Sequence, residues 1–199
     1  EKYGYSKRQM AGVLASLSPQ KDWFQNVDLA RRLMDTVQRM GNRSATPEMK
    51  AWAKQWTENA EKDPEEPKAS VEKFRAAVAR NGDRPLSQIT DNYDRAVWVR
   101  MYDEAHNLDR GYRVVTPEGG YGARATTNKG ADQKVTWGSF NEIAKAMNAL
   151  KEDSTANISQ SVGGAHKVRN FYNNIISPNA PHGDITVDTH AIAGALLRP

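Results

Sequence analysis

The chain has 199 residues, no cysteine, a formal net charge of +4 and a sequence pI near 9.2. This length predicts one domain with a sizeable core, and the lack of cysteine excludes a disulfide framework, a thiolate zinc site and a cysteine-bound iron–sulfur cluster. No apolar run reaches transmembrane length and no signal peptide is visible, so we expect a soluble intracellular, cytoplasmic protein. The basic charge favours an anionic partner such as nucleic acid.

The first half of the chain has the pattern of a series of amphipathic helices. Thr46 and Pro47 open the third of them, since Thr is a preferred N-cap and Pro suits the first helical position. Residues 61–68, mostly charged and with two prolines, predict a solvated linker. Apolar residues at helical spacing predict helices over residues 6–17, 22–40, 46 to about 60, 70–80 and 91–106.

The pattern changes in residues 111–137, where short β-branched segments alternate with Gly, Asn and Pro turns. These segments predict a small β-hairpin, a three-stranded flap or an ordered loop. Basic residues alternate there with aromatic ones, a combination that suits contact with a nucleic-acid backbone and its bases. Arg124 and Lys134 are therefore candidates for DNA contact. The same composition also fits a solvated hairpin packed by its own aromatic residues.

The last sixty residues hold the candidate reaction centre. A capping-box pattern at Ser139 predicts a helix to about residue 151 that leads directly into the turn at Gly163 and Gly164. These glycines can adopt positive φ and leave backbone N–H groups open to an anion. Lys167 falls in the first turn of the next helix, and Asp188 is a natural N-cap for a final helix. A lysine and an aspartate at two helix starts, beside an anion-binding turn, predict a reaction centre.

These motifs resemble those of the endonuclease III-like DNA glycosylases, a branch of the helix-hairpin-helix superfamily. The run Val187-Asp188-Thr189-His190 is similar to the catalytic-aspartate motif of that family. Residues 163–168 resemble its hairpin, with one extra residue between the last glycine and the lysine. Ser18-Pro19-Gln20 resembles the loop whose glutamine enters the duplex beside the flipped nucleotide. The resemblance covers about residues 7–40 and 140–197.

The resemblance implies a mainly α fold, with one helix-hairpin-helix glycosylase-like domain over residues 1–199. In the family, the glutamine loop and the hairpin lie closer in sequence than they do here. We therefore expect an insertion around residues 46–137, which includes the β-hairpin or flap around residues 111–137. Because the chain opens on Glu1 and not on Met, we also expect it to be a piece of a longer protein.

The resemblance further implies an enzyme that flips a damaged or modified base out of double-stranded DNA and cleaves its N-glycosidic bond. Asp188 would stabilise the sugar cation or activate a water. Lys167 would be the nucleophile of members that also cut the strand. We expect a monomer with no cofactor, no metal and no membrane contact. The DNA-binding candidates in the segments that carry the resemblance are Gln20, Gly163, Gly164, Ala165, His166 and Arg169, and the basic and aromatic pattern of the flap adds Arg124 and Lys134. The base-pocket candidates are Trp23, Tyr172, Asn173 and His190.

Other functions fit the same residues. A non-catalytic DNA-binding module would keep the hairpin for phosphate contact, which agrees with the extra residue before Lys167 and with the missing cluster cysteines. A base-modifying enzyme on this scaffold would use Asp188 to stabilise a different leaving group. A structural or assembly protein would use the basic, aromatic middle of the chain to bind another protein. In such proteins Asp188 would be only a helix cap and His190 only a core residue.

Overall fold

The computed structural model describes residues 2–181, 183 and 185–186. This part of the chain is mainly helical, as predicted, with one two-stranded antiparallel sheet. None of its helices is both long enough and apolar enough to cross a membrane. A 3-10 turn spans Leu86–Gln88, and the strands are β1 (Arg113–Val115) and β2 (Tyr121–Arg124). The helices are α1 (Lys7–Ser16), α2 (Trp23–Met40), α3 (Pro47–Lys62), α4 (Lys68–Asn81), α5 (Asn92–His106), α6 (Phe140–Ala149), α7 (Thr155–Val162) and α8 (His166–Ile176).

Local capping signals set most of the helix starts. Ser6 and Asp22 each form a capping box, in which the cap side chain accepts a backbone N–H and the third helical residue bonds back to the cap. At α6 only half of the predicted box forms. The Ser139 hydroxyl accepts the N–H of Glu142, whose carboxylate lies over Gly138. The expectation that α6 leads directly into the glycine turn was wrong, because α7 begins after its own N-cap, Ser154.

Helix α5 is the centre of the fold. It packs against α2, α3, α4 and α6, while α1 packs against α2, α6, α7 and α8. Buried apolar side chains of both groups belong to one continuous cluster, which runs from Val13 of α1 through Trp98 of α5 to Val162 of α7. The helices between residues 46 and 106 are therefore part of the same core as the segments that carry the family resemblance.

A buried polar network connects α2 and α5 to the segment that precedes α6. The Arg32 side chain is 1% exposed and donates to both carboxylate oxygens of Asp103, with 3.0 Å between Nε and Oδ1. Its Nη1 also donates to the carbonyl of Val135 at 2.9 Å and to Asp28 at 3.2 Å. The indole N–H of Trp137 donates to Asp103 at 2.8 Å. Every partner in this network is charged or a strong hydrogen-bonding group, so the buried charges are well compensated.

Candidate nucleic-acid interface

Helices α1 and α8 run in opposite directions. Lys7, at the start of α1, donates to the carbonyl of Ile176, at the end of α8, at 3.3 Å. The ring of Trp23, at the start of α2, meets that of Phe171 of α8 edge-on, with centroids 6.5 Å apart. The turn after α1 and the turn before α8 therefore lie at the same end of the molecule. Gln20 and the glycine hairpin thus share one end of the molecule, although they lie far apart in the sequence.

Gln20 lies in a strained backbone conformation on the turn between α1 and α2. The turn is closed by a hydrogen bond from the Lys21 N–H to the Ser18 carbonyl at 3.1 Å, with Pro19 and Gln20 as its central residues. Gln20 has φ 54 and is the one non-glycine residue with positive φ in the described part of the chain. Glycine normally takes this position, and an L residue there costs about 1–2 kcal/mol. The Gln20 side chain is exposed, so core packing does not explain the strain.

The glycine hairpin joins α7 to α8 through three residues. Gly163 has φ 69 and ψ −162, a conformation that is essentially restricted to glycine. Gly164, Ala165 and His166 are exposed. Ala165, the N-cap of α8, makes no side-chain cap hydrogen bond, so its side chain leaves the first backbone N–H groups of this helix open to solvent or to an anion.

Arg169 holds the hairpin in shape. Its Nη2 donates to the carbonyl of Ser159 at 3.2 Å and to the Ser159 hydroxyl at 2.7 Å, and its Nε donates to the carbonyl of Gly163. The Ser159 carbonyl also accepts the N–H of Gly163 at 3.2 Å, so Arg169 connects the last turn of α7 to the hairpin. The structure thus gives Arg169 a clear internal role. Lys167 lies on the first turn of α8 and is half-buried.

Two lysines that sequence reasoning missed flank this end of the molecule. The Nζ of Lys145, on α6, lies 3.9 Å from the position that a Cβ on Gly163 would occupy. Burial raises the pKa of Glu142, whereas its contacts with Ser139 and the positive charges of Lys21 and Lys145 act to lower it. Lys21 follows Gln20 directly and could have been noted from the sequence, but nothing local marked Lys145. We call Gln20, Lys21, Trp23, Lys145 and residues 163–166 the hairpin face.

The β flap is docked beside the hairpin face. The Phe24 ring lies between those of Tyr112 and Tyr121, with centroid distances of 5.8 and 5.0 Å and edge-on geometry. The Tyr112 hydroxyl donates to Oδ2 of Asp22, while Oδ1 of Asp22 accepts the N–H of Gln25 and caps α2. The hydrogen bond to Asp22 raises the pKa of Tyr112. The flap is thereby fixed to the start of α2, two residues after Gln20.

The basic residues of the flap differ in their ion pairs and in their exposure. Arg124 pairs with Asp109 and with Asp132, each at 3.0 Å, so both of its charged contacts are internal to the flap. Lys134 is exposed on the short segment that bridges to Gly111. The aromatic residues of this segment also differ in exposure. Trp137 is buried in the Arg32 network, whereas Tyr121 is exposed.

The predicted base-pocket residues are not all at this end. Trp23 is 51% exposed and belongs to the hairpin face. Tyr172 is half-buried in the half of α8 that packs beside the start of α1, and burial raises its pKa, while the charge of Arg8 acts to lower it. Asn173 is half-buried on α8.

Asp188, His190 and the predicted final helix lie outside the described residues. The described chain extends to Thr186, whose hydroxyl accepts a hydrogen bond from Asn174 of α8 at 2.9 Å.

The comparisons with known proteins give one match. Residues 1–84 are similar to a family of unknown function, DUF7178. No curated protein and no solved structure matches the chain. The matched span carries α1 to α4 and the Gln20 turn, whereas the glycine hairpin lies beyond it.

The hairpin face presents lysine side chains and helix-start N–H groups, which can contact anions. No group of three or more His, Cys, Asp or Glu side chains in residues 2–181, 183 and 185–186 is placed to bind a metal. Two lysines and the uncapped start of α8 supply positive potential, and an exposed glutamine projects next to them. Such a surface suits a phosphate backbone held by N–H groups without base readout.

The two hairpin glycines make a matched pair for mutation. We expect Gly163→Ala to lower the free energy of unfolding by about 1–3 kcal/mol, because alanine is strained at this φ and ψ. Gly164→Ala should change it by less than about 0.5 kcal/mol, because no atom lies within 4 Å of the added Cβ. Urea denaturation monitored by circular dichroism measures both. Equal destabilisation by the two variants would contradict the hairpin geometry described here.

Proposed function

We propose that the chain is a DNA glycosylase-like enzyme of the helix-hairpin-helix type, which flips a modified or damaged base from duplex DNA and cleaves its N-glycosidic bond. The observation that carries this proposal is the position of Gln20. It is an exposed glutamine in a strained conformation, at the same end of the molecule as the glycine hairpin and the start of α8, where Ala165 makes no side-chain cap. Strain that the core does not need is typical of functional sites.

The proposed binding mode assigns a task to each part of the hairpin face. The backbone N–H groups at the start of α8 hold a phosphate, and Lys21 and Lys145 add long-range attraction. Gln20 enters the duplex and fills the space that the flipped nucleotide leaves, which offsets part of the cost of unstacking. Trp23, half exposed beside Gln20, offers a ring on which an extruded base can stack.

The proposed chemistry is assigned to Asp188 and Lys167. As the bond between C1′ of the sugar and the base nitrogen breaks, its electron pair leaves with the base, and positive charge develops on the sugar. The Asp188 carboxylate stabilises that charge and takes a proton from the water that attacks C1′. In the lyase variant of the reaction, the Lys167 amine attacks C1′ in place of water and gives a proton to the Asp188 carboxylate. The C1′–O4′ bond of the sugar then breaks, O4′ takes that electron pair and a proton, and the resulting Schiff base leads to strand cleavage. The proposed enzyme acts as a monomer on cytoplasmic DNA.

The test is base release by the protein and by Gln20 variants. Duplexes carrying normal, oxidised, deaminated or bulky modified bases are incubated with the protein, and free base is detected by mass spectrometry. We expect release from at least one modified duplex and a rate about tenfold or more lower for Gln20→Gly. Glycine fits the positive φ, so this variant should fold at least as stably as the parent protein.

A comparison of Gln20→Gly with Gln20→Asn separates a role of the Gln20 side chain in base release from a role in the fold of the turn. Gln20→Asn keeps an amide and tolerates positive φ, but its side chain is one methylene shorter. It serves as the matched control for reach into the duplex. Salt-sensitive duplex binding with no free base from any substrate would favour the non-catalytic DNA-binding module. If the protein binds no duplex at low salt, both the glycosylase and the non-catalytic DNA-binding module are rejected.

A further inference from the structure

A cavity of about 430 Å3 lies between α3, α4, α5 and the start of α6. Its volume is within the range of about 300–1,000 Å3 that is typical of small-molecule sites. The rings of Trp56, Tyr93 and Phe140 line it, together with the cationic side chains of Arg100 and Lys73. It shares no residue with the hairpin face. The cavity therefore needs an explanation apart from duplex binding.

Arg100 is a buried cation with few partners. Its side chain is 18% exposed, and its guanidinium carbon lies 4.7 Å from the centroid of the Phe140 ring. Within the described residues, its one hydrogen bond is a long one, from Nη1 to the carbonyl of Gly138 at 3.4 Å. The Nε atom is buried without a hydrogen-bond partner among the described residues. Its ion-pair partner, the Glu104 carboxylate, lies 3.9 Å from Nε and is also paired with Arg110.

Arg32 is a buried arginine of the same protein whose charge and N–H donors have partners, so it serves as a comparison for Arg100. Burial alone would lower the pKa of Arg32, but the hydrogen bonds and the charge of Asp103 raise it overall. Burial lowers the pKa of Arg100, and the charges of Glu104 and Glu66 do not restore it. A buried guanidinium with unused N–H donors is unfavourable unless an anion completes its coordination. The open cavity beside Arg100 is the space from which such an anion can arrive.

The rest of the lining fits a planar ring. Trp56 and Tyr93 are half-buried, and the Nζ of Lys73 lies over the Tyr93 ring at 3.9 Å, where it can turn toward a second anionic oxygen. The lining also contains the Glu66 carboxylate and the Asn141 amide, which can accept N–H groups at the edge of a ring. Aromatic side chains, a largely buried cation and acceptors for ring N–H groups are the features with which a protein recognises a nucleotide.

We propose that this cavity binds a free nucleoside monophosphate, with the phosphate at Arg100 and Lys73 and the base against Trp56 and Tyr93. The proposal does not depend on the glycosylase activity, because it concerns different residues and a different ligand. A phosphate at this position accepts hydrogen bonds from the terminal N–H groups of Arg100, whose one hydrogen bond among the described residues is the long one to Gly138. The base, in turn, covers the exposed faces of the aromatic rings.

Isothermal titration of the whole chain with mononucleotides tests the proposal. The probes are AMP, GMP, CMP and thymidine monophosphate, the four matching nucleosides, and sodium phosphate. We expect at least one monophosphate to bind, and its nucleoside and phosphate alone to bind at least about tenfold more weakly. Arg100→Met should weaken monophosphate binding by about ten- to hundredfold, because it removes a charge-assisted contact and keeps the length of the side chain.

Control variants keep the test decisive. Lys73→Met removes an exposed lysine from α4, should fold normally, and should also weaken binding. It serves as the second variant if Arg100→Met unfolds. Arg39→Met removes an exposed arginine of α2 that does not line the cavity, and it should leave binding unchanged. Millimolar monophosphates that fail to bind, affinities that Arg100→Met and Lys73→Met leave unaltered, or binding only of single-stranded oligonucleotides would each overturn the proposal.

Discussion

Asp188→Asn is expected to lower the rate of base release by about 10²–10⁴-fold, while the protein folds as stably as its parent. The reduction is what the loss of a positioned proton acceptor normally causes. Stability should be kept because asparagine is as good an N-cap as aspartate, so the helix start predicted at this position retains its cap. The substitution therefore separates the charge of the carboxylate from its capping role, which Asp188→Ala would not do.

The measurement is single-turnover release of free base from the duplex that the wild-type protein processes best. Urea denaturation of the same samples confirms that the variant is folded. Sodium borohydride added during turnover traps the protein on DNA only if an amine forms a Schiff base, and Lys167→Gln should abolish that trapping. A wild-type release rate in Asp188→Asn would leave Asp188 as a helix cap and the proposed chemistry without its carboxylate.

Asp103→Asn is expected to lower the free energy of unfolding by about 3–5 kcal/mol, the cost of removing one partner from a buried ion pair. The variant keeps the shape of the side chain but removes the charge that faces Arg32, whose guanidinium is then buried without its main counter-ion. One amide NH₂ group would also face the donors of Arg32 or Trp137, where an acceptor is needed.

Equilibrium urea denaturation measures this effect, and Glu61→Gln is the matched control. Glu61 pairs with Arg75 on the surface, where both side chains are about half exposed, so its loss should change stability by about 0–1 kcal/mol. If Asp103→Asn and Glu61→Gln unfold at the same urea concentration, the network does not hold the flap segment to the helical core. Near-ultraviolet circular dichroism of Trp137 would report its release from the network.

The helices could be predicted from the sequence because their signals are local. Ser6, Asp22 and Thr46 cap α1, α2 and α3 as their side chains predict, and each signal lies within four residues of the helix start. Helix α7 was missed because it has only eight residues and its N-cap, Ser154, follows directly on two acidic residues in a stretch that looks like a loop. Short helices carry too few apolar repeats to establish a period.

The candidate site was only partly predictable, because its assembly depends on contacts between distant segments. Gln20 and the glycines were identified one by one, but their common position results from the antiparallel packing of α1 on α8. Lys145 joins them through α6, and no local pattern distinguishes it from other exposed lysines. The roles of Asp188 and Lys167 in base excision stay predictions.

The two oxygens of the Asp22 carboxylate serve two parts of the molecule. One caps helix α2 and the other receives the Tyr112 hydroxyl of the flap. Lifting the flap would remove a bond from the residue that begins α2, two positions after Gln20. The Asp22 side chain therefore holds the docked flap and the start of α2 in place together, and loss of this one carboxylate would release both contacts.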